Sequence, residues 1–173
     1  PFPYVLEALG TTLDEGVLMV SDSIAYLKDL GKTVLFDAEH FFDGFKANPE
    51  FSLRVLEGAA QAGADWLVLC DTNGGTLPET IASVFADVQK TFPSAKVGIH
   101  THNDCGFGVA NAIAAVDAGA TQVQGTVNGF GERTGNCNLI SVIPTLELKM
   151  NKRCIAAKSL PKLKELSEFV NEV

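Results

Sequence analysis

The 173-residue chain is acidic and moderately apolar. It has 13 lysines and arginines against 21 aspartates and glutamates, a formal charge of −8, and 46% of its residues belong to the hydrophobic set. This composition predicts a globular domain and argues against disorder, which needs low hydrophobicity with high charge. The acidic balance argues against nucleic acid as the main partner, and no apolar run approaches the roughly 18 residues of a membrane span.

The chain begins at Pro1 without a methionine and shows no signal peptide, so we expect it to be a piece of a longer protein. Its four cysteines are unevenly spaced and include no Cys-x-x-Cys pair. This pattern does not resemble a disulfide framework, and it indicates reduced thiols. We therefore expect a cytoplasmic protein.

Helical and strand patterns alternate from the beginning of the chain. A capping box (TxxE) at residues 12–15 predicts the start of a helix, whose apolar residues recur at spacings of four and three as far as Gly31. A short β-rich segment follows at residues 33–38. The second helix is predicted to begin at residues 48–50 (NPE), with proline at its first position, and it leads to a strand at residues 66–71.

Two further cycles follow the same order. A second TxxE box at residues 76–79 predicts the third helix, and residues 96–101 are the third strand. An apolar stripe over residues 109–116 marks the next helix, and residues 121–127 are the fourth strand. A glycine-rich loop and a proline-interrupted helix over residues 139–150 complete this part of the chain.

This repeat of about 30 residues predicts parallel strands, buried on both faces and joined by crossover helices. A TIM (β/α)8 barrel has about 250 residues in eight such units. We therefore predict an α/β fold that is a TIM-barrel fragment of about four units, with an open four-stranded α/β domain as the alternative. Residues 1–150 would be the second half of the barrel, and residues 151–173 a linker and the first helix of an accessory subdomain.

Polar and ionisable residues are concentrated where the predicted strands end, which is where sites lie in parallel α/β sheets. His100 and His102 occupy positions i and i+2 of one strand, so both imidazoles face the same side and are able to bind one metal ion. The alternative is two histidines hydrogen-bonded to neighbouring groups.

Two other strand ends carry candidate functional residues. Asp37 and Glu39 are also at i and i+2, which predicts a functional carboxylate in the pocket or, alternatively, a loop cap or a lysine partner. Thr72 either donates a hydrogen bond to a substrate carboxylate or, alternatively, only stabilises the turn that follows the strand. Cys105 and Cys137 flank the predicted metal site and are either thiolate ligands or small packing residues.

The chain resembles a known enzyme family. Residues 100–104 (HTHND) and 128–136 (NGFGERTGN) together resemble the two late signature motifs of the 2-isopropylmalate, homocitrate and citramalate synthases. Residues 36–44 (FDAEHFFDG) and 69–75 (LCDTNGG) resemble the citramalate synthase branch most. The 3-hydroxy-3-methylglutaryl-CoA lyases share an HxH strand, but their catalytic cysteine loop is replaced here by residues 131–136.

The resemblance implies a metal-dependent Claisen condensation of acetyl-CoA with a 2-oxo acid, in branched-chain amino-acid biosynthesis. The oxo acid is pyruvate in the citramalate branch, and otherwise 2-oxoisovalerate or 2-oxoglutarate. Thr72 would hold the carboxylate of the oxo acid, Glu39 would assist proton movement at the acetyl methyl, and Asp37 would line the substrate side of the pocket. The resemblance also implies three ligands for a divalent metal (Mg²⁺ or Mn²⁺, with Zn²⁺ as the alternative): His100, His102 and Asn136.

One motif of the family is missing. Its first strand carries an Arg-Asp-Gly motif that supplies a metal ligand and a catalytic arginine, and nothing in this chain matches it. In this family an accessory region supplies further catalytic groups to the other subunit of a homodimer. At most the beginning of that region is present here, after Ser159. We therefore expect the 173-residue chain by itself to lack synthase activity. The alternatives are a related lyase or aldolase, and a non-catalytic half-barrel whose open edge strands pair with another chain.

Overall fold

The structure, a computed structural model, describes residues 4–173, so the first three residues, where the chain begins without methionine, lie outside the described range. None of the helices within residues 4–173 is long and apolar enough to cross a membrane. Short turns of π-helix (Tyr4–Ala8) and 3-10 helix (Val127–Gly129 and Ala157–Lys162) accompany the regular elements. These are, in chain order, α1 Leu13–Asp29, β1 Leu35–Ala38, α2 Phe41–Ala47, α3 Pro49–Gln61, β2 Trp66–Asp71, α4 Pro78–Thr91, β3 Val97–Thr101, α5 Gly108–Asp117, β4 Gln122–Gln124, α6 Leu139–Leu148 and α7 Leu163–Glu172.

The four strands form one parallel sheet in the order β1-β2-β3-β4, and a helical crossover joins each strand to the next. This confirms the predicted alternation and the strand count. The main core lies between the helices and one face of the sheet, where long apolar side chains are almost completely buried. Its members include Leu56, Leu67, Leu69, Ile81, Phe85, Val97 and Ile99.

The opposite face of the sheet is concave and more polar. Asp37 on β1 accepts a hydrogen bond from Gln124 on β4 at 2.9 Å, although two strands lie between them. Three strand spacings in a flat sheet would amount to about 14 Å, so this contact requires strong curvature. The prediction that the strands are buried on both faces is wrong for the edge strands, because Leu35 and Asp37 are exposed and β4 is only half-buried.

Two of the predicted helix caps are confirmed. The hydroxyl oxygen of Thr12 accepts the backbone N–H of Glu15 at 3.2 Å at the start of α1. At the start of α3, the side-chain oxygen of Asn48 accepts the backbone N–H of Phe51 at 3.0 Å. Each bond satisfies a donor that the first helical turn leaves free, and so fixes where the helix begins.

The second capping box is wrong. Helix α4 begins at Pro78, and the Thr76 hydroxyl donates to the carboxylate of Asp71 at 2.7 Å instead of capping the helix. Asp71 is almost completely buried, and Asn111 also donates to it at 3.2 Å. Because a buried carboxylate needs hydrogen bonds, its demand for a donor outweighs the local capping pattern.

The fourth strand is shorter than the predicted residues 121–127. The fourth strand is only Gln122–Gln124, because the chain turns at Val127–Gly129, where Asn128 has a φ of +61°. Helix α7 begins at Leu163, after a 3-10 turn, and it packs on this turn through Ser167, whose backbone oxygen accepts from the Asn128 amide at 2.8 Å. Leu166 on this helix is exposed.

Replacing Phe85 by alanine should lower the free energy of unfolding by about 3–5 kcal/mol, because its side chain is completely buried against the sheet. Lys90→Ala on the exposed side of the same helix should change that free energy by about 0.5 kcal/mol or less. Denaturant unfolding of both variants checks this. Equal losses would contradict the assigned core face of α4.

Candidate metal and substrate site

Two imidazoles and one carboxamide meet at the carboxyl end of β3. The Nε2 atom of His100 lies 3.3 Å from Nε2 of His102 and 3.1 Å from the side-chain oxygen of Asn136. The two histidines share a face because they are two residues apart in extended backbone. Asn136 reaches them from a distant loop and forms a β-bridge with His102.

The glycine-rich loop holds Asn136 in this place. The backbone N–H of Asn136 donates to the carbonyl of Gly129 at 2.9 Å, and its side-chain nitrogen donates to the carbonyl of Phe130 at 3.0 Å. A Cβ at Gly131 would overlap the Asn136 side-chain nitrogen. The loop therefore closes tightly on the carboxamide, and the absence of a side chain at residue 131 makes this possible.

The neighbours of His100 fix which of its ring nitrogens carries the proton. Gln124 uses its amide nitrogen on Asp37, so its carbonyl oxygen faces Nδ1 of His100 at 2.8 Å. An oxygen acceptor there requires a proton on Nδ1, which leaves Nε2 with a lone pair. Because Phe130 accepts from the amide nitrogen of Asn136, the Asn136 oxygen is the atom that faces this lone pair.

The Nε2 lone pair of His100 therefore faces the Asn136 oxygen, and a cation shared by these two atoms would relieve their repulsion. Donor atoms bound to one metal at about 2.0–2.1 Å lie roughly 3.0 Å apart in octahedral geometry and roughly 3.4 Å apart in tetrahedral geometry. The observed separations of 3.1 and 3.3 Å fall in this span. The residues present thus fit a divalent metal ion.

His102 is prepared for the same role. It is buried, and its pKa is lowered by desolvation first and then by the nearby His100 and Arg133. A lowered pKa favours the neutral imidazole, which is the form that binds metal. Within residues 4–173 there is no metal-suited cluster of three or more His, Cys, Asp or Glu side chains, so the third donor here is an amide oxygen.

Glu39 and Thr72 meet at the neighbouring strand ends. The Thr72 hydroxyl donates to the Glu39 carboxylate at 2.8 Å and accepts the backbone N–H of His40 at 2.7 Å. Glu39 is exposed on the open side of the sheet, as is Asp37 two residues earlier. The structure therefore joins the predicted base and the predicted substrate-binding hydroxyl directly.

Arg133 connects two parts of the site. Its guanidinium makes two bonds to the Asp104 carboxylate, at 2.8 and 2.9 Å, and a third to the backbone oxygen of Thr72 at 2.6 Å. The bond from Arg133 is the main cause of the lowered pKa of Asp104. Arg133 thus ties the Asn136 loop to the strand end that carries Thr72, a contact that no spacing in the sequence reveals.

Two of the four cysteines are buried. Cys137 is completely buried, and desolvation raises the pKa of its thiol to about 11. Burial, with smaller contributions from Glu39 and Asp37, also raises the pKa of Cys70. Cys105 is exposed. Protonated, buried thiols favour the packing interpretation for Cys137 over the thiolate one.

Replacing Gly131 by alanine should weaken metal binding roughly 10- to 100-fold, the usual effect of disturbing the groups that orient a ligand, since the new methyl group displaces Asn136. Gly75→Ala is the matched control, because a Cβ there meets nothing closer than 4.0 Å and the backbone φ is not positive. Titration with Mn²⁺, followed by electron paramagnetic resonance, measures both affinities. Unchanged affinity in the Gly131 variant would contradict the role of Asn136 as a ligand.

The chain has clear relatives of known identity. Residues 4–170 match the HMGL-like family. The (R)-citramalate synthase of Aquifex aeolicus is 55% identical over 170 residues, which are 98% of this chain and 32% of that protein. The homocitrate synthase of Sulfolobus acidocaldarius is 35% identical over 158 residues, which are 91% of this chain and 33% of that protein.

The same relationship is visible in the fold. The HMG-CoA lyase of Brucella melitensis superposes with a TM-score of 0.76 at 18% identity, over 99% of this chain and 63% of that one. The predicted TIM-barrel fragment is therefore confirmed. The chain spans about a third of the length of the two synthases, and its sequence and its curved parallel sheet agree on one conclusion: it belongs to the HMGL-like family.

Proposed function

We propose that the full-length protein condenses acetyl-CoA with pyruvate and releases citramalate and CoA. The observation that carries this proposal is the meeting of His100, His102 and Asn136 beside the bonded pair of Glu39 and Thr72. The identity to the citramalate synthase, 55% against 35% for the homocitrate synthase, supports pyruvate as the oxo acid. Formation of citramalate would serve isoleucine biosynthesis.

Glu39 is the proposed base. It removes a proton from the methyl group of acetyl-CoA, and the electron pair left on that carbon forms the new carbon–carbon bond to the keto carbon of pyruvate. The keto oxygen takes up a proton from solvent and becomes a hydroxyl, and Glu39 returns its proton to solvent. Water then cleaves the thioester to give a carboxylate and CoA. A divalent metal bound to His100, His102 and Asn136 would act as a Lewis acid on the keto group.

Thr72 is proposed to couple binding of the oxo acid to activation of Glu39. In the free site its hydroxyl donates to the Glu39 carboxylate. The hydroxyl has only one proton, so when it donates to the substrate carboxylate it releases Glu39 from that bond. Glu39 is therefore free to approach the acetyl methyl group when the oxo acid is in place.

Asp37 supports pyruvate over 2-oxoglutarate. Its carboxylate is exposed on the same side of the sheet as Glu39, where the substituent of the oxo acid would lie. A second carboxylate on the substrate would meet a like charge there, whereas the methyl group of pyruvate would not. We propose that this charge contributes to selection of the small, uncharged substituent.

The donor set of the proposed site limits which metal ion it would bind. The two-nitrogen, one-oxygen donor set suits Mg²⁺ or Mn²⁺ if further oxygen ligands complete it, and Zn²⁺ if they do not. The family's first-strand motif, which this chain lacks, would supply the next ligand.

We further propose a cytoplasmic homodimer in which residues 151–173 begin an accessory subdomain. The four free cysteines support the cytoplasmic location. The exposed apolar side chains Leu166 and Phe169 on α7 support the dimer.

The proposed reaction predicts release of free CoA from acetyl-CoA by the full-length protein. Pyruvate should support the highest kcat/KM, and 2-oxoisovalerate and 2-oxoglutarate should be poorer by a factor of about 10 or more, since one added methylene or an unpaired charge costs at least that much. A thiol-reactive dye measures the released CoA. Absence of release with all three oxo acids would overturn the proposal, and preference for another oxo acid would overturn the assignment of pyruvate.

Glu39→Gln should lower kcat about 100- to 10,000-fold with little change in the KM for pyruvate, because it removes a proton acceptor and keeps the shape. Thr72→Val should instead raise the KM for pyruvate. Glu57→Gln, on the exposed surface of α3, is the control and should leave both constants unchanged. Steady-state kinetics of the full-length variants check this, and a Glu39→Gln variant with normal kcat would exclude Glu39 as the base.

A further inference from the structure

Gln124 contacts both an edge-strand carboxylate and a proposed metal ligand. Its amide nitrogen donates to Asp37 at 2.9 Å, and its carbonyl oxygen faces Nδ1 of His100 at 2.8 Å. It lies in register with His100 on the neighbouring strand, on the concave side of the sheet. None of the sequence patterns points to this residue.

The carboxylate of Asp37 fixes the direction of the Gln124 amide. An ionised carboxylate accepts hydrogen bonds and has none to donate, so only the NH₂ end of Gln124 is able to face it. If the amide rotated by half a turn, its oxygen would face the carboxylate and its nitrogen would face His100. The charge on Asp37 therefore selects the orientation in which Gln124 presents an acceptor to His100.

The orientation of Gln124 in turn decides the tautomer of His100. With an acceptor at Nδ1, the proton stays on Nδ1 and the Nε2 lone pair points towards His102 and Asn136. With a donor at Nδ1, the proton would move to Nε2 and form a hydrogen bond to the Asn136 oxygen, which is already 3.1 Å away. That second arrangement would satisfy both atoms internally and close the site to metal.

We propose that Gln124, held by Asp37, is a positioning residue that keeps His100 in its metal-binding tautomer and so sets the metal affinity. This inference rests on the proposed metal site and adds a determinant outside the ligand set. It also gives Asp37 a second task beside lining the pocket, carried out by the carboxylate oxygen that contacts Gln124.

Substitutions at residues 37 and 124 can remove the two hydrogen bonds of Gln124 and then rebuild them, in the same direction, with other side chains. Gln124→Met keeps the length of the side chain and removes both hydrogen bonds. The double variant Asp37→Asn with Gln124→Glu rebuilds the series of hydrogen bonds in the same direction. The asparagine amide donates to the glutamate carboxylate, and that carboxylate accepts from Nδ1 of His100. Asp43→Asn, at an exposed residue near the same strand ends, is the control for a changed carboxylate close to the site that does not contact Gln124.

The affinity for Mn²⁺ alone is measured in the full-length protein without substrates, by competition with a chelating indicator. We expect Gln124→Met to weaken binding about 10- to 100-fold, the double variant to return to within about threefold of the parent, and Asp43→Asn to match the parent. The ¹⁵N shifts of His100, assigned with His100→Ala, should show more Nε2–H in Gln124→Met than in the parent or the double variant.

The outcomes separate the inference from the proposed function. Parental affinity in Gln124→Met, or a double variant as weak as Gln124→Met, would overturn the positioning role while leaving the metal site intact. Parental affinity in His100→Ala would overturn the metal site itself and the inference with it. Thermal unfolding midpoints in excess chelator, equal within a few degrees across the series, would show that the affinity changes do not arise from loss of fold.

Discussion

The site depends on a lone pair of His100 that faces the carboxamide oxygen of Asn136. These two atoms are 3.1 Å apart, and the neighbours of each prevent it from supplying a proton to the other. Such a pair is unfavourable unless something positive lies between its members. Two neighbours hold the pair in place: Gln124 contacts the ring of His100, and the carbonyl of Phe130 accepts a hydrogen bond from the amide of Asn136. This pair of facing donors is the basis of the proposed metal site.

The curvature of the sheet brings this arrangement about. Asp37 and Gln124 belong to opposite edge strands, yet their side chains are in hydrogen-bond contact across the concave face. The helices pack on the convex face, where apolar side chains fill the core. The two faces of the same strands thus differ: one packs against the helices, and the other carries the residues of the proposed site.

The loops connect the histidine pair to the bonded pair of Glu39 and Thr72. Arg133 contacts both Asp104, which follows the histidine strand, and the backbone of Thr72, which lies beside Glu39. The exposed ion pair contributes little to stability by itself. Its value is geometric, because a forked guanidinium fixes two strand ends relative to the loop that carries Asn136.

Much of this could be read from the sequence because it depends on local periodicity. The alternation of helices and strands, the caps at Thr12 and Asn48, and the shared face of His100 and His102 all follow from spacings of two, three or four residues. The Asn136 loop was identified through family resemblance, since a separation of 36 residues carries no geometric information.

The sequence by itself therefore determined which elements form, in what order, and which strand ends carry ionisable groups. Only the tertiary structure decided which of these groups meet. Thr76 bonds to the buried Asp71 instead of capping its helix, and Gln124 reaches Asp37 from 87 residues away. In both cases a carboxylate held in place by the fold demands a donor, and the donor that is nearest in space meets that demand, wherever it lies in the chain.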